Sequence, residues 1–77
     1  MVDEQILRQE IIDERFNFGV YLILNWESET FRVDFGDEED LRTHIFLGPF
    51  QNQKHADVAF IETVNYLTEL NDKLSQV

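Results

Sequence analysis

The chain has 77 residues, 16 acids against six lysines and arginines, a formal net charge of −10, no cysteine and ten aromatics, seven of them phenylalanine. One small domain fits that length, close to the lower limit for an unaided hydrophobic core, and without cysteine neither a disulfide nor a thiolate metal cage can support it. So acidic a surface repels nucleic acid and anionic membrane, and no stretch reaches the ~18 apolar residues of a membrane span.

Asp3 and Glu4 at the start are unlike a secretory or organelle-targeting leader. The expectation is a complete, soluble, cytoplasmic protein with a single domain over residues 1–77. Residues 2–14 read as a helix, with Asp3 as N-cap and Val2 and Leu7 as a hydrophobic staple. Its apolar residues (Val2, Ile6, Leu7, Ile11, Ile12) are spread around the helical wheel, which implies contact from more than one side or an early end.

Residues 16–26 alternate at period two, with Phe16, Phe18, Val20, Leu22, Leu24 and Trp26 on one side, so they predict a strand. Gly19 marks a bulge or bend in it. After the polar turn Glu27–Glu29 a second strand places Phe31, Val33 and Phe35 on one face and Thr30, Arg32 and Asp34 on the other, closed by Gly36. A third strand over 42–48 ends at Gly48-Pro49, because proline lacks the amide hydrogen a ladder needs. Asn52 then caps a last helix running to about Leu74, whose stripe of Ala56, Ala59, Phe60, Val64, Leu67, Leu70 and Leu74 is the strongest periodic signal in the chain. These elements predict an α+β fold: helix, three-stranded antiparallel meander, helix, with both helices on one face of the sheet.

Three groups of residues are candidates for function. Residues 27–40 hold seven acids against Arg32. Within that stretch Asp37, Glu38, Glu39 and Asp40 form a run that is either a solvated loop, a contact for a basic partner or a weak cation site. It lacks the alternating spacing and central glycine of an EF-hand loop. The sheet face away from the helices carries Tyr21, Ile23, Arg32, Asp34, His44 and Phe46, which is either a docking surface for another protein or a second copy, or scattered surface residues sheltered by sheet curvature. At the start of the last helix, Lys54 and His55 stand beside free amide hydrogens, where water and the Asn52 cap compete with an anion for the site. No catalytic constellation emerges: His44 and His55 lie on different elements, and Ser28 and Ser75 have no activating neighbour. Neither an enzyme nor a cofactor is expected.

The order helix, three strands, helix, with a Gly48 turn leading into a helix that carries Ala56 and Ala59, resembles the double-stranded-RNA-binding fold. That resemblance implies basic residues for phosphate contact at the helix start. Here those positions hold Gln53, Lys54 and His55, and the net charge opposes RNA binding. Phe46-Leu47-Gly48-Pro49-Phe50, followed by Ala56 and by Tyr66-Leu67 with Leu70, is similar to the strand–Gly-Pro-Phe–helix unit of small cyanobacterial proteins of unassigned function. It covers about the last third of the chain and implies no site residues. The expected function is a small acidic adaptor or regulator that binds another protein, basic in character, or its own copy. Tyr21, Ile23, Arg32, Asp34 and Phe46, with Asp37–Asp40, would make the contact. The alternative is a nucleic-acid mimic that occupies the basic groove of a DNA- or RNA-binding protein.

Overall fold

A computed structural model describes residues 3–40 and 44–76. Four strands pair in chain order as an open antiparallel sheet: β1 (Glu4–Asp13), β2 (Phe18–Asn25), β3 (Thr30–Asp37) and β4 (Ile45–Phe50). One helix, α1 (Gln53–Ser75), lies on one face. The α+β class and the antiparallel meander agree with the sequence reading. The type of the first element does not, nor do the two helices on one face, because a fourth strand stands where the first helix was expected.

That strand is β1. Its register against β2 slips between Ile6 and Arg8 and again between Ile11 and Asp13. Each slip inserts one residue, as a β-bulge does, and breaks the period of two. The apolar pairs Ile6-Leu7 and Ile11-Ile12 are thereby split between the faces. Ile6 and Ile11 lie beside Ile23 and Gly19 on one side, while Leu7 and Ile12 pack on the core of the other. Residues that scatter around a helical wheel are thus a two-sided strand with two bulges. Val2, the staple residue of the expected helix, lies outside the described residues.

A 3-10 turn, Glu14–Phe16, follows. Asp13 caps it, and Asn17 in the left-handed region (φ 51°) turns the chain into β2. The strand expected over 16–26 is shorter at both ends, since Phe16 belongs to this turn and Trp26 to the next. In that second turn the Asn25 side chain accepts the amide hydrogens of Glu27 (3.0 Å) and Ser28 (3.1 Å). An Asx contact therefore supplies the closure that an Asn-Gly pair would otherwise give.

The last strand was expected over 42–48. Residues 42 and 43 lie outside the described residues, and β4 runs through Gly48-Pro49, joined by a cis peptide bond, to Phe50. As the outermost strand it has one unladdered side, where proline's missing donor breaks no bond. A register shift opposite Phe31 and Val33 absorbs the irregularity.

Helix α1 begins where expected, with Asn52 Oδ1 accepting the Lys54 amide hydrogen at 2.7 Å. Its Ala56 and Phe60 close over Val20, Leu22 and Val33 to form the core, and the Arg8 guanidinium sits 4.8 Å above the Phe60 ring. Burying each large apolar side chain there contributes about 1.5–3 kcal/mol. Only these two of its 23 residues are buried. A helix of that length spans roughly 34 Å, more than the roughly 26 Å of an eight-residue strand. Its later turns therefore border the Glu14–Phe16 turn and complete less of the core. Among the described residues no helix is long and apolar enough to cross a membrane.

Candidate functional site

Strand parity decides what the reverse face of the sheet, away from α1, presents. The even positions of β2 and the odd positions of β3 point to the helix, leaving Gly19, Tyr21 and Ile23 beside Gly36, Asp34 and Arg32 on the other side. Gly19 and Gly36 are direct cross-strand partners. A Cβ on Gly36 would stand 2.7 Å from His44 Cδ2, and one on Gly19 would stand 3.0 Å from the Tyr21 hydroxyl. The glycine pair thus forms a hollow in which the Tyr21 and His44 rings stack, centroids 5.7 Å apart and planes within 10°. His44 Nε2 donates to the Asp37 carbonyl oxygen at 2.7 Å, which fixes the ring.

Polar side chains roof the rest of this face. Arg32 donates to both carboxylate oxygens of Glu4 on β1 and, at 2.8 Å, to Asp34 Oδ1. The hydrogen bond from Arg32 holds the Glu4 carboxyl below its ordinary pKa, and the same bond raises that of Arg32. Asp34 is only 8% exposed and also faces His44 Nδ1 at 3.7 Å. The Tyr21 hydroxyl is buried, with no hydrogen-bond partner among the described residues. Burial, followed by the charges of Glu38 and Asp37, pushes its pKa up. Between these groups lies an open cavity of about 460 Å³, bordered by Ile6, Gln9, Tyr21, Ile23 and His44 and by three carboxylates (Glu4, Asp34, Glu38) against the single guanidinium of Arg32.

Of the expected contact residues Tyr21, Ile23, Arg32, Asp34 and Glu38 line this cavity, whereas Phe46, Asp37, Glu39 and Asp40 do not, and they differ in availability. Tyr21 and Ile23 lie on the expected face but are 5% and 8% exposed, sheltered by their neighbours without any helix above them. The apolar groups this face offers to solvent include Ile6 and Ile11, from β1, and Phe46, opposite Asp34 on β4. The acidic run is an ordered turn: Asp37 accepts the Glu39 amide hydrogen at 2.8 Å, and the Glu38 amide donates to the Asn17 carbonyl at 2.9 Å. The Glu38 and Glu39 side chains project into solvent beside the cavity, whereas Asp40 is half-buried. Among the described residues no group of three His, Asp or Glu side chains converges to hold a metal ion. Lys54 and His55 are exposed at the helix start and do not border the cavity. Glu4, Ile6 and Gln9 were missed as members of the site. Their signal was β1 itself, legible only once its bulges are allowed for.

A second, larger cavity of about 670 Å³ opens on the helix side, between the Glu14–Phe16 turn and the later turns of α1. Ile12, Phe16, Phe18, Leu67, Leu70 and Leu74 line it, and Asp13 and Arg15 stand at its rim as a hydrogen-bonded ion pair (3.0 Å). Compared with known proteins, the chain matches no protein family, no curated protein and no solved structure.

Proposed function

We propose that this protein is a non-catalytic adaptor or regulator that binds a basic segment of another protein on the reverse face of its sheet. The observation that carries this reading is the charge imbalance around the 460 Å³ cavity, three carboxylates to one guanidinium, over a floor of Ile6, Tyr21 and Ile23. A lysine or arginine side chain has the complementary build, a methylene stem for the apolar floor and a cation for the rim. Arg32 is already engaged by Glu4 and Asp34, so the unbalanced charge falls on Glu38 and, next to it, Glu39. Neither of those two side chains has a hydrogen-bond or ion-pair partner among the described residues.

Nucleic-acid mimicry would need these acids displayed as a row, and Glu4 and Asp34 instead grip Arg32. The test is fluorescence anisotropy with a labelled octalysine peptide, against wild type and the double variant Glu38→Gln/Glu39→Gln. Binding that weakens with salt and falls at least about tenfold in the variant supports the reading. Equal binding by both proteins, or none by wild type, refutes it. Displacement of duplex DNA from a basic DNA-binding protein by wild type, with no octalysine binding, would favour mimicry.

A further inference from the structure

We infer that two copies of this chain associate through the helix-side groove, each seating its Phe16 ring and the Leu70–Leu74 end of α1 against the other. This goes beyond the adaptor reading, uses a different surface and stands or falls separately from it.

Shape is the first ground. Twofold association requires a patch that is its own complement, projection and recess together. Phe16 projects at 66% exposure, held at its base by the Asp13–Arg15 pair and by the Arg15 guanidinium 5.6 Å over its ring. Beside it the groove recedes to Ile12, Phe18 and Leu67. Leu74, 65% exposed, and Leu70 continue the apolar stripe past the last residue α1 buries in its own core.

Charge is the second ground, and it selects the occupant. Two bodies of net charge −10 repel wherever their acids face each other. The reverse face, with its surplus of carboxylates, is poorly suited to meet its own copy. Among the described residues the only charged ones lining the groove are Asp13 and Arg15, which neutralise each other, and on the adjoining helix surface Glu69 pairs with Lys73 at 3.4 Å. Exposed Glu14 and Asp72 flank the groove, but its lining offers a basic partner no surplus of acid, whereas a second copy brings the same balanced lining.

Size is the third ground. Among the described residues seven apolar side chains are buried while twelve large ones are exposed. Small chains with so limited a core commonly gain stability by association.

Sedimentation equilibrium of the full chain tests the inference, with Leu74→Gln and Phe16→Ser as groove variants and Phe46→Gln as the reverse-face control. All three sites are more than half exposed, and thermal unfolding checks that each variant is folded. The expected result is a wild-type dimer that tightens as salt screens the acidic bodies, a dissociation constant raised at least about tenfold in both groove variants, and no change in Phe46→Gln. A monomeric wild type at every salt concentration, groove variants that dimerise as wild type does, or dissociation caused by Phe46→Gln alone would each overturn it. Loss of octalysine binding with the dimer intact would strike only the adaptor reading.

Discussion

At the helix-side groove the charges are matched: Asp13 takes three hydrogen bonds from Arg15, and what remains is mostly carbon, from Ile12, Phe16, Leu70 and Leu74, with the uncharged Asn71 and Ser75. At the reverse-face cavity Arg32 is outnumbered, and the carbon of Tyr21 and Ile23 is roofed by the polar groups that surround it. Both surfaces are concave and both are built on strands β1 and β2. What separates them is whether opposite charges lie within reach of each other along the chain. Asp13 and Arg15 are neighbours in one turn, whereas Arg32 must gather Glu4 from β1 and Asp34 from its own strand. Locally neutral apolar surface suits a like copy, and locally acidic surface suits a basic one.

The comparison can be broken most severely at the layer both surfaces share. Phe60→Ala removes the ring that ties α1 to Val20, Leu22 and Val33. It is expected to cost about 3–5 kcal/mol, a large part of the total stability of a chain this small, and to abolish dimer and peptide binding together in denaturant titration and sedimentation. If either surface survives intact, it does not depend on the docked helix.

Arg32→Met should separate the surfaces. It strands Asp34 inside the reverse face, and with Arg32's side chain 25% exposed the full cost of breaking a buried pair is discounted to about 1–3 kcal/mol at neutral pH. The sign with pH follows from Glu4. Its carboxyl is held below its ordinary value by the Arg32 hydrogen bond, so the stabilisation is complete above the unfolded value and disappears as pH falls through the depressed folded one. Wild type and Arg32→Met should therefore converge in stability as pH falls below the ordinary carboxylate range, measured by urea unfolding. The groove-mediated dimer should be unaffected. A gap that persists in acid would contradict the assigned role of the pair.

Asn52→Ala provides the calibration. Losing the 2.7 Å bond to the Lys54 amide should cost about 1 kcal/mol in thermal unfolding and change neither peptide binding nor dimerisation at temperatures where the protein is folded. The smallest effect concerns Tyr21. Its hydroxyl lacks a partner among the described residues, so Tyr21→Phe should be neutral or stabilising by up to about 1 kcal/mol. Because burial raises the pKa of that hydroxyl, the folded state holds its proton more tightly than the unfolded one. Wild type should lose stability as pH rises above the ordinary tyrosine value, and the variant should lose less. Marked destabilisation by Tyr21→Phe would show that the hydroxyl is bonded in solution.

Much of this arrangement was legible because its elements repeat regularly. The β2 and β3 positions alternate, which placed Tyr21, Ile23, Arg32 and Asp34 on one face, and Asn52 with the Ala56–Leu74 stripe placed α1. β1 was misread because two bulges put Ile6-Leu7 and Ile11-Ile12 at spacings of one and five, which suit neither a strand nor a single helix face. With β1 taken for a helix, Glu4, Ile6 and Gln9 could not join the site, and the ion pair that roofs Ile23 went unseen. Gly48-Pro49 was read as a stop because proline lacks the amide hydrogen a ladder needs, yet β4, an edge strand with one unladdered side, continues through it. The groove had no local signature, since it arises from where the end of α1 meets a turn some fifty residues earlier in the chain.

Sedimentation velocity of the wild-type chain with labelled octalysine, followed from about 50 to about 500 mM salt, tests the division of labour between the two surfaces most directly. The account predicts that the peptide leaves the protein boundary as salt rises while the boundary stays dimeric or sharpens toward the dimer. Peptide that remains bound at high salt, or a dimer that dissociates in step with peptide release, would contradict it.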